Sequence, residues 1–244
     1  MASTTSSPPI SRVAPRHDLL SNPPHRPLIA PSILSADFAR LGEECRAVLD
    51  AGADLLHIDV MDGHFAPNLS MGPAICAATR RACPDAFLDV HLMVTDPAQF
   101  VKPFRQAGAN HCTVHIEVLP DPRPLADTIR SLGMTAGLAF NPDTPIERLL
   151  PFLGAFEMLL CMSVFPGFSG QKFMPEVLPK CASLRSQLRD DQRLEIDGGV
   201  APETVAGCRD AGCDVLVAAT AIFAKGDYRT QIQMLRGSQT LRGA

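Results

Sequence analysis

Four side chains in this sequence have the types and spacing that hold a metal ion. His57 and Asp59 lie two apart in the run Leu55-Leu56-His57-Ile58-Asp59, so in an extended strand both leave on the same side. His91 ends Phe87-Leu88-Asp89-Val90-His91, and Asp197 ends Leu194-Glu195-Ile196-Asp197. If these runs are strands of one sheet, two imidazoles and two carboxylates can meet at a point. That mixed donor set suits one divalent ion such as Zn²⁺, Fe²⁺, Mn²⁺ or Co²⁺, whereas Mg²⁺ and Ca²⁺ take mostly oxygen ligands. A single strand-end His or Asp is as often a hydrogen-bonding group; four at strand ends together point to ligation.

A second constellation is made of small residues. Pro166-Gly167-Phe168-Ser169-Gly170-Gln171, Gly198-Gly199 and Ala219-Thr220-Ala221 each follow an apolar run. Their backbone N–H groups can approach an anion. Turns use glycine in any case, so it is the clustering on successive late loops that indicates a phosphate site.

The elements that must position these groups are legible as eight apolar runs: 28–33, 55–60, 87–94, 112–116, 135–140, 158–164, 194–197 and 215–219. Most are continuously apolar rather than alternating, as strands are when helices cover both faces of a parallel sheet. Between them lie helical stretches, such as Phe38 to Leu49, with Phe38, Leu41, Cys45, Val48 and Leu49 along one side and Asp37 placed as its cap. Ala51-Gly52-Ala53-Asp54, Ala107-Gly108-Ala109-Asn110 and Ala211-Gly212-Cys213-Asp214 repeat one pattern, a helix stop before a strand. Their spacing fits multiples of a unit of about 27 residues, the size of one strand, one helix and their loops.

Eight such units predict a single (β/α)8 TIM barrel over residues 28–230. A doubly wound open sheet is the rival, but Ser32-Ile33-Leu34-Ser35 after the first strand contains no G-x-G-x-x-G turn. In a barrel the active site forms at the C-terminal strand ends, with phosphate on the loops after the last strands. The four candidate ligands and the small-residue loops both fall there.

Bulk properties narrow the classes further. A hydrophobic fraction of 46% supports a buried core, and 22 basic against 26 acidic residues give a net charge of -4, without the basic footprint that nucleic acid requires. No uncharged apolar run approaches the roughly 18 residues of a membrane span. The eight cysteines include no C-x-x-C pair and read as reduced core residues of a cytoplasmic protein. Residues 1–27, rich in Ser, Pro and Arg with Asp18 the one acid, read as a disordered tail. An organelle transit peptide shares that composition, but proline at this density opposes the helix such peptides use. Residues 231–244 read as a helix end and a second tail.

Taken together, Ala30-Pro31-Ser32-Ile33-Leu34, His57-Ile58-Asp59-Val60-Met61-Asp62-Gly63-His64-Phe65, Asp89-Val90-His91-Leu92-Met93-Val94, Pro166-Gly167-Phe168-Ser169-Gly170-Gln171-Lys172-Phe173 and Ile196-Asp197-Gly198-Gly199-Val200 closely resemble the ribulose-phosphate 3-epimerase family. The match runs from Ile29 to Phe223. The resemblance implies interconversion of D-ribulose 5-phosphate and D-xylulose 5-phosphate, in the pentose phosphate pathway and the reductive pentose cycle, by a homo-oligomer. It places His57, Asp59, His91 and Asp197 on the family's metal ligands, Asp59 and Asp197 on its acid/base pair, and Ser32 on a substrate contact. Gly167, Phe168, Ser169, Gly170, Gly198, Gly199, Ala219 and Thr220 fall on its phosphate side.

The implied chemistry suits those residues. Inverting C3 of a 2-ketose removes a proton next to the carbonyl and returns one to the other face, through a 2,3-enediolate. Two carboxylates on opposite sides of the substrate do this, with Asp59 as base in one direction and Asp197 as acid. A metal on the C2 and C3 oxygens would stabilise the enediolate. His91 then faces substrate through that site, and Met61, Met93 and Met162 form apolar walls.

The chain departs from the family pattern at Phe165, where a Glu is common, and at Ser169 and Ala219, where Gly is common. Because Ala accepts fewer backbone conformations than Gly, these departures bear on the phosphate pocket. His64, His111 and His115 are expected to serve surface or packing roles. Rival readings are an allulose 6-phosphate epimerase, a metal-dependent sugar-phosphate lyase, and a barrel that binds sugar phosphate without turnover. A Schiff-base aldolase would need a strand-end lysine, and no predicted strand ends in one.

Overall fold

The computed structural model of the chain describes residues 19–20 and 26–237. Eight parallel strands, β1 (Leu28–Pro31), β2 (Leu56–Met61), β3 (Leu88–Met93), β4 (His111–His115), β5 (Thr135–Phe140), β6 (Met158–Met162), β7 (Arg193–Asp197) and β8 (Val215–Ala218), form one sheet. Its order runs β1-β8-β7-β6-β5-β4-β3-β2, and a parallel bridge between Ser32 and His57 joins its two ends. The result is the expected (β/α)8 barrel.

Helices α1 (Leu41–Asp50), α2 (Pro73–Ala82), α3 (Ala98–Gln106), α4 (Arg123–Ser131), α5 (Leu178–Arg185), α6 (Val205–Asp210), α7 (Thr220–Phe223) and α8 (Tyr228–Arg236) lie outside it. Two connections differ from the simple pattern. The stretch expected as one helix from Phe38 begins as a 3₁₀ turn, Phe38–Arg40, capped by Asp37, and becomes α-helical at Leu41. Between β5 and β6 there is no α-helix, only 3₁₀ turns at Ile146–Arg148 and Leu150–Ala155. Pro142, Pro145 and Pro151 in that segment lack the N–H groups an α-helix would use.

The Ala-Gly repeat works as the sequence suggests: Gly52, Gly108 and Gly212 all take positive φ and end their helices. The polar residue two places on has a further duty. Asp54 accepts from the Ile29 N–H, Asn110 from Leu88 and Asp214 from Leu194, so each ties down the start of the neighbouring strand. Arginines from the helical layer close the arrangement, with Arg236 on Asp54, Arg80 on Asn110 and Arg185 on Asp214.

Side chains pointing into the barrel change character from bottom to top. At the N-terminal end Leu28, Leu55, Phe87, Met158 and Val215 form an apolar cluster with Leu19 and Leu20, and Arg193 Nε donates to the Leu20 carbonyl at 2.9 Å. Residues 1–18 and 21–25, most of the segment expected to be a disordered tail, lie outside the described residues. Leu19 and Leu20 do not behave as tail; they are buried under the barrel. Residues 231–236 belong to α8, and 238–244 lie outside the described residues.

One interior position has no room to spare. A Cβ at Gly137 in β5 would run into Thr113 Oγ1 and lie 2.5 Å from His111 Nε2. Both of those groups are buried and hydrogen-bonded to each other. Gly137→Ala is expected to lower stability by about 1 to 3 kcal/mol through overpacking, read as a reduced urea midpoint. The double variant with Thr113→Ala should recover part of the loss; an unchanged midpoint in Gly137→Ala would show that the interior can relax around the methyl.

Candidate active site

Period-2 geometry puts two polar residues of β2 into the barrel, His57 and Asp59, and two of β3, Asp89 and His91. The parallel register sets His57 beside Asp89 and Asp59 beside His91. From β7 come Glu195 and Asp197. The donor atoms of the four expected ligands converge. Asp59 Oδ1 is 3.2 Å from His57 Nε2 and 3.1 Å from His91 Nδ1, and Asp197 Oδ2 is 3.9 and 3.8 Å from the same two nitrogens.

Two donors each about 2.1 Å from a common ion lie about 3.0 to 3.5 Å apart at octahedral or tetrahedral angles, so these separations are close to those of a coordination shell. The donor set, two imidazole nitrogens and two carboxylate oxygens with all four atoms within 4.8 Å of one another, could hold a divalent metal ion.

The electrostatics of the cluster follow from burial and proximity. Burial disfavours a charged His57, but Asp59 and Asp89 on either side outweigh it and raise its pKa well above the usual value. Burial likewise opposes the Asp59 carboxylate, yet His57 and His91 hold it far below its ordinary range. Asp197 goes the other way: burial, with the Asp59 charge nearby, pushes it up to about 8. His91 is brought down to about 4, chiefly by burial. At neutral pH, without metal, Asp59 is ionised and Asp197 carries a proton.

Below the ligands lies a second layer that sequence reading missed. His57 Nδ1 is 2.6 Å from Asp89 Oδ2 and 3.6 Å from Glu195 Oε1. As acceptors only, Asp89 Oδ1 and both Glu195 oxygens would be orphaned. Burial, reinforced by the Asp89 charge, raises the Glu195 pKa well above the normal range, and a proton on Glu195 supplies the missing bond to Asp89. The sequence did carry a signal: Asp89 and Glu195 each precede a ligand by two residues, so both must point into the same interior.

His115, expected to have a surface or packing role, is instead part of this polar core. It is fully buried, with its Nε2 2.8 Å from His91 Nε2 and its Nδ1 2.9 Å from Glu117 Oε2. Burial pushes the Glu117 carboxyl up, but bonds from His115, Asn141 N–H and Thr144 Oγ1 bring it down to about 2. His111 does have an interior packing role, bonded to Thr135 and Thr113, and His64 stays exposed in its own turn.

Above the cluster opens a pocket whose empty space, counted with its open mouth, is about 530 Å³. Asp59 and Asp197 line it, as do Ser32, Met61, Met93 and Met162. Gly167, Phe168, Ser169 and Gly170 after β6, Gly198 and Gly199 after β7, and Ala219 and Thr220 after β8 complete its wall. The expectation that His91 faces substrate is not met directly, because His91 and His57 are fully buried and lie behind the pocket lining. Ser32 Oγ donates to Asp59 Oδ2 at 2.5 Å, so its first partner is the carboxylate.

Of the three departures from the family pattern, two prove compatible with the backbone. No described non-glycine residue has positive φ; Ala219 sits at φ -109, and neither it nor Ser169 needs glycine's freedom. Gly198 and Gly199 do need it, with φ of 116 and 64, and a Cβ on Gly199 would meet the Phe173 backbone. Phe165 is half-exposed at the pocket rim.

Comparison with known proteins agrees with this geometry. The ribulose-phosphate 3 epimerase family matches residues 28–223. The ribulose-phosphate 3-epimerase of Chlamydia muridarum is 42% identical over 87% of this chain and 96% of that protein. Those of Synechocystis and Serratia marcescens are 45% and 46% identical, over 87% and 83% of this chain and 94% and 98% of theirs. Among solved structures, KGPDC from Streptococcus mutans superposes with a TM-score of 0.66 over 86% of this chain and 95% of its own. A 3-hexulose-6-phosphate synthase gives 0.61 over 86% and 98%. At 12% and 16% identity these two show the barrel and no more. The chain belongs to the ribulose-phosphate 3-epimerase family and is an epimerase.

Proposed function

We propose that this enzyme interconverts D-ribulose 5-phosphate and D-xylulose 5-phosphate by moving a proton at C3 through a 2,3-enediolate. The observation that carries the reading is the pair Asp59 and Asp197. Both line one pocket, they come from strands three places apart around the barrel, and their pKa values are driven in opposite directions. A pair of carboxyls held in different protonation states at one pH can act as base and acid.

In this reading Asp59, ionised and oriented by the Ser32 hydroxyl, accepts the C3 proton on one face. Asp197 delivers one to the other, and the reverse reaction exchanges their roles. His57, Asp59, His91 and Asp197 would hold a divalent metal, Zn²⁺, Fe²⁺, Mn²⁺ or Co²⁺, which supplies Lewis-acid stabilisation of the charge developing on the substrate oxygens. Met61, Met93 and Met162, all nearly buried, give an apolar wall that keeps water from the enediolate. The small residues after β6, β7 and β8 would grip the phosphate, as late loops of barrels commonly do, and so fix C3 between the two carboxyls.

We further place the enzyme in the cytoplasm, because all eight cysteines are unbridged and buried. None of the described helices is long and apolar enough to cross a membrane. A homo-oligomer is supported by exposed apolar side chains, Phe165 and Phe168 at the pocket mouth and Leu69 elsewhere on the surface.

The deciding experiment follows C3 by NMR in D₂O with D-ribulose 5-phosphate. Deuterium incorporation with formation of D-xylulose 5-phosphate is expected, lost on chelation and regained with one of the four metals. Absence of exchange with every metal would rule out the pentose assignment, and the same measurement on allulose 6-phosphate would then test the hexulose alternative. Asp59→Asn and Asp197→Asn should each lower kcat by about 10² to 10⁴; near-normal turnover in either variant would remove that carboxyl from the mechanism.

Metal loading should also be linked to pH. Asp197 keeps its proton up to about pH 8, and His57 is protonated well above its usual range, whereas ligands must bind deprotonated. Affinity is therefore expected to rise with pH toward 8, with net proton release at pH 7. Calorimetry in buffers of different ionisation enthalpy measures that release, and a value of zero would contradict the protonation states assigned here.

A further inference from the structure

His91 can present its Nδ1 lone pair to the site only if its proton sits on Nε2. Within the four-ligand cluster both neighbours of Nδ1, Asp59 Oδ1 and Asp197 Oδ2, are carboxylate oxygens, which would accept a proton at Nδ1 and do not hold it on Nε2. The groups on the other side of the ring do. His91 Nε2 faces His115 Nε2 at 2.8 Å, His115 Nδ1 faces Glu117 Oε2 at 2.9 Å, and the two imidazole planes are inclined by only 22° with centroids 5.0 Å apart, so the rings meet edge to edge. One proton must lie in each of these two gaps.

Glu117 is anchored so that its role is fixed. Its Oε1 already accepts from the Asn141 N–H at 2.8 Å and from the Thr144 hydroxyl, and an ionised carboxylate has no proton to give. His115 must therefore donate from Nδ1 to Oε2. Its Nε2 is then bare and accepts from His91, whose proton is thereby held on Nε2. The Nδ1 lone pair of His91 is left aimed at the site. For His57 the orientation is set by a shorter route, because Asp89 accepts directly from its Nδ1 and the proton it must give up on ligation is the one on Nε2.

We propose that Glu117, acting through His115, is a positioning residue that fixes the tautomer of His91 and so makes its Nδ1 available as a metal ligand. The proposal rests on the reading that the four side chains hold a metal. It adds two residues of β4 and the turn after it, neither of them in the pocket wall, to the groups on which the site depends. Carboxylate partners of metal-binding histidines orient the ring and raise its basicity; here the carboxylate is one imidazole removed.

Glu117→Gln is the informative variant. The Asn141 and Thr144 donors keep the amide oxygen on their side, which turns the amide NH₂ toward His115 Nδ1. His115 must then accept at Nδ1 and carry its proton on Nε2, so His91 is driven to hold its own proton on Nδ1, facing the site. Ring ¹⁵N–¹H correlation spectra of the metal-free protein read this directly. The wild type should show His91 protonated on Nε2 and His115 on Nδ1, and both assignments should reverse in Glu117→Gln. Competition with a chelator for Zn²⁺ should show the variant binding about 10- to 100-fold more weakly.

His115→Phe, which keeps a ring between Phe65 and His91 while removing the acceptor, should weaken Zn²⁺ binding comparably. A wild-type His91 protonated on Nδ1, or a Glu117→Gln variant in which the tautomers do not reverse, would overturn the proposal. So would reversed tautomers with unchanged Zn²⁺ affinity. If the wild type showed the expected tautomers yet bound none of the four divalent ions, it would be the metal reading that failed, and the spectra distinguish that case.

Discussion

The order of two residues on each of two neighbouring strands governs the site. In β2 the imidazole comes first and the acid second, His57 then Asp59; in β3 the acid comes first, Asp89 then His91. Because the strands are parallel and in register at these positions, each acid stands beside an imidazole of the other strand. Reversing the order on one strand would place carboxylate against carboxylate and ring against ring in a space closed to water. A slip of one residue would turn the whole set out of the barrel. The alternation is thus a condition for burying four ionisable groups at all, since an unpaired buried charge is among the most destabilising features a fold can carry.

The same condition explains the protonation states. Asp59 and Asp89 lie against imidazoles and stay charged, while Glu195 and Asp197 on β7 have no cation of their own and are driven toward the neutral form by burial and by the other two carboxylates. For Glu195 the neutral form is a structural solution, because its proton satisfies Asp89. For Asp197, which reaches the pocket, the same physics leaves a proton exposed to whatever sits there. One electrostatic arrangement therefore yields a silent acid in the barrel interior and an available one at its mouth.

Much of this could be read from the sequence, and the parts that could not have identifiable reasons. The eight apolar runs, the glycine stops and the four ligands are local patterns with fixed periods, so strand count, barrel closure and site position all follow from them. The missing α-helix between β5 and β6 was signalled by three prolines whose effect on the unit count is small. Asp89 and Glu195 were legible in principle, by the two-residue repeat that identified the ligands. His115 and Glu117 were not: their role depends on a distance between rings on adjacent strands, which period alone does not give. Leu19 and Leu20 were hidden by their surroundings, since two leucines in a proline-rich stretch carry no periodicity, and only the apolar cluster with Leu28, Leu55 and Phe87 gives them a place.

That cluster bears on why the polar interior is tolerable. The upper half of the barrel holds ionisable groups where a typical barrel would stack branched aliphatic side chains, and forgoes the burial energy they would bring. The lower half compensates by being apolar inside apart from Arg193, and latched outside. Leu19 and Leu20 seal its opening, Arg193 ties that seal to β7, and Asp54, Asn110 and Asp214 hold strand starts to the helical layer. Most of those latches join backbone N–H groups to buried side-chain oxygens, so they act where strand ends would otherwise fray. The division has a consequence for the chemistry: strands fixed at their bottoms hold their tops at a constant separation, and a proton shared between rings 2.8 Å apart depends on that separation more than on the contacts within the site itself.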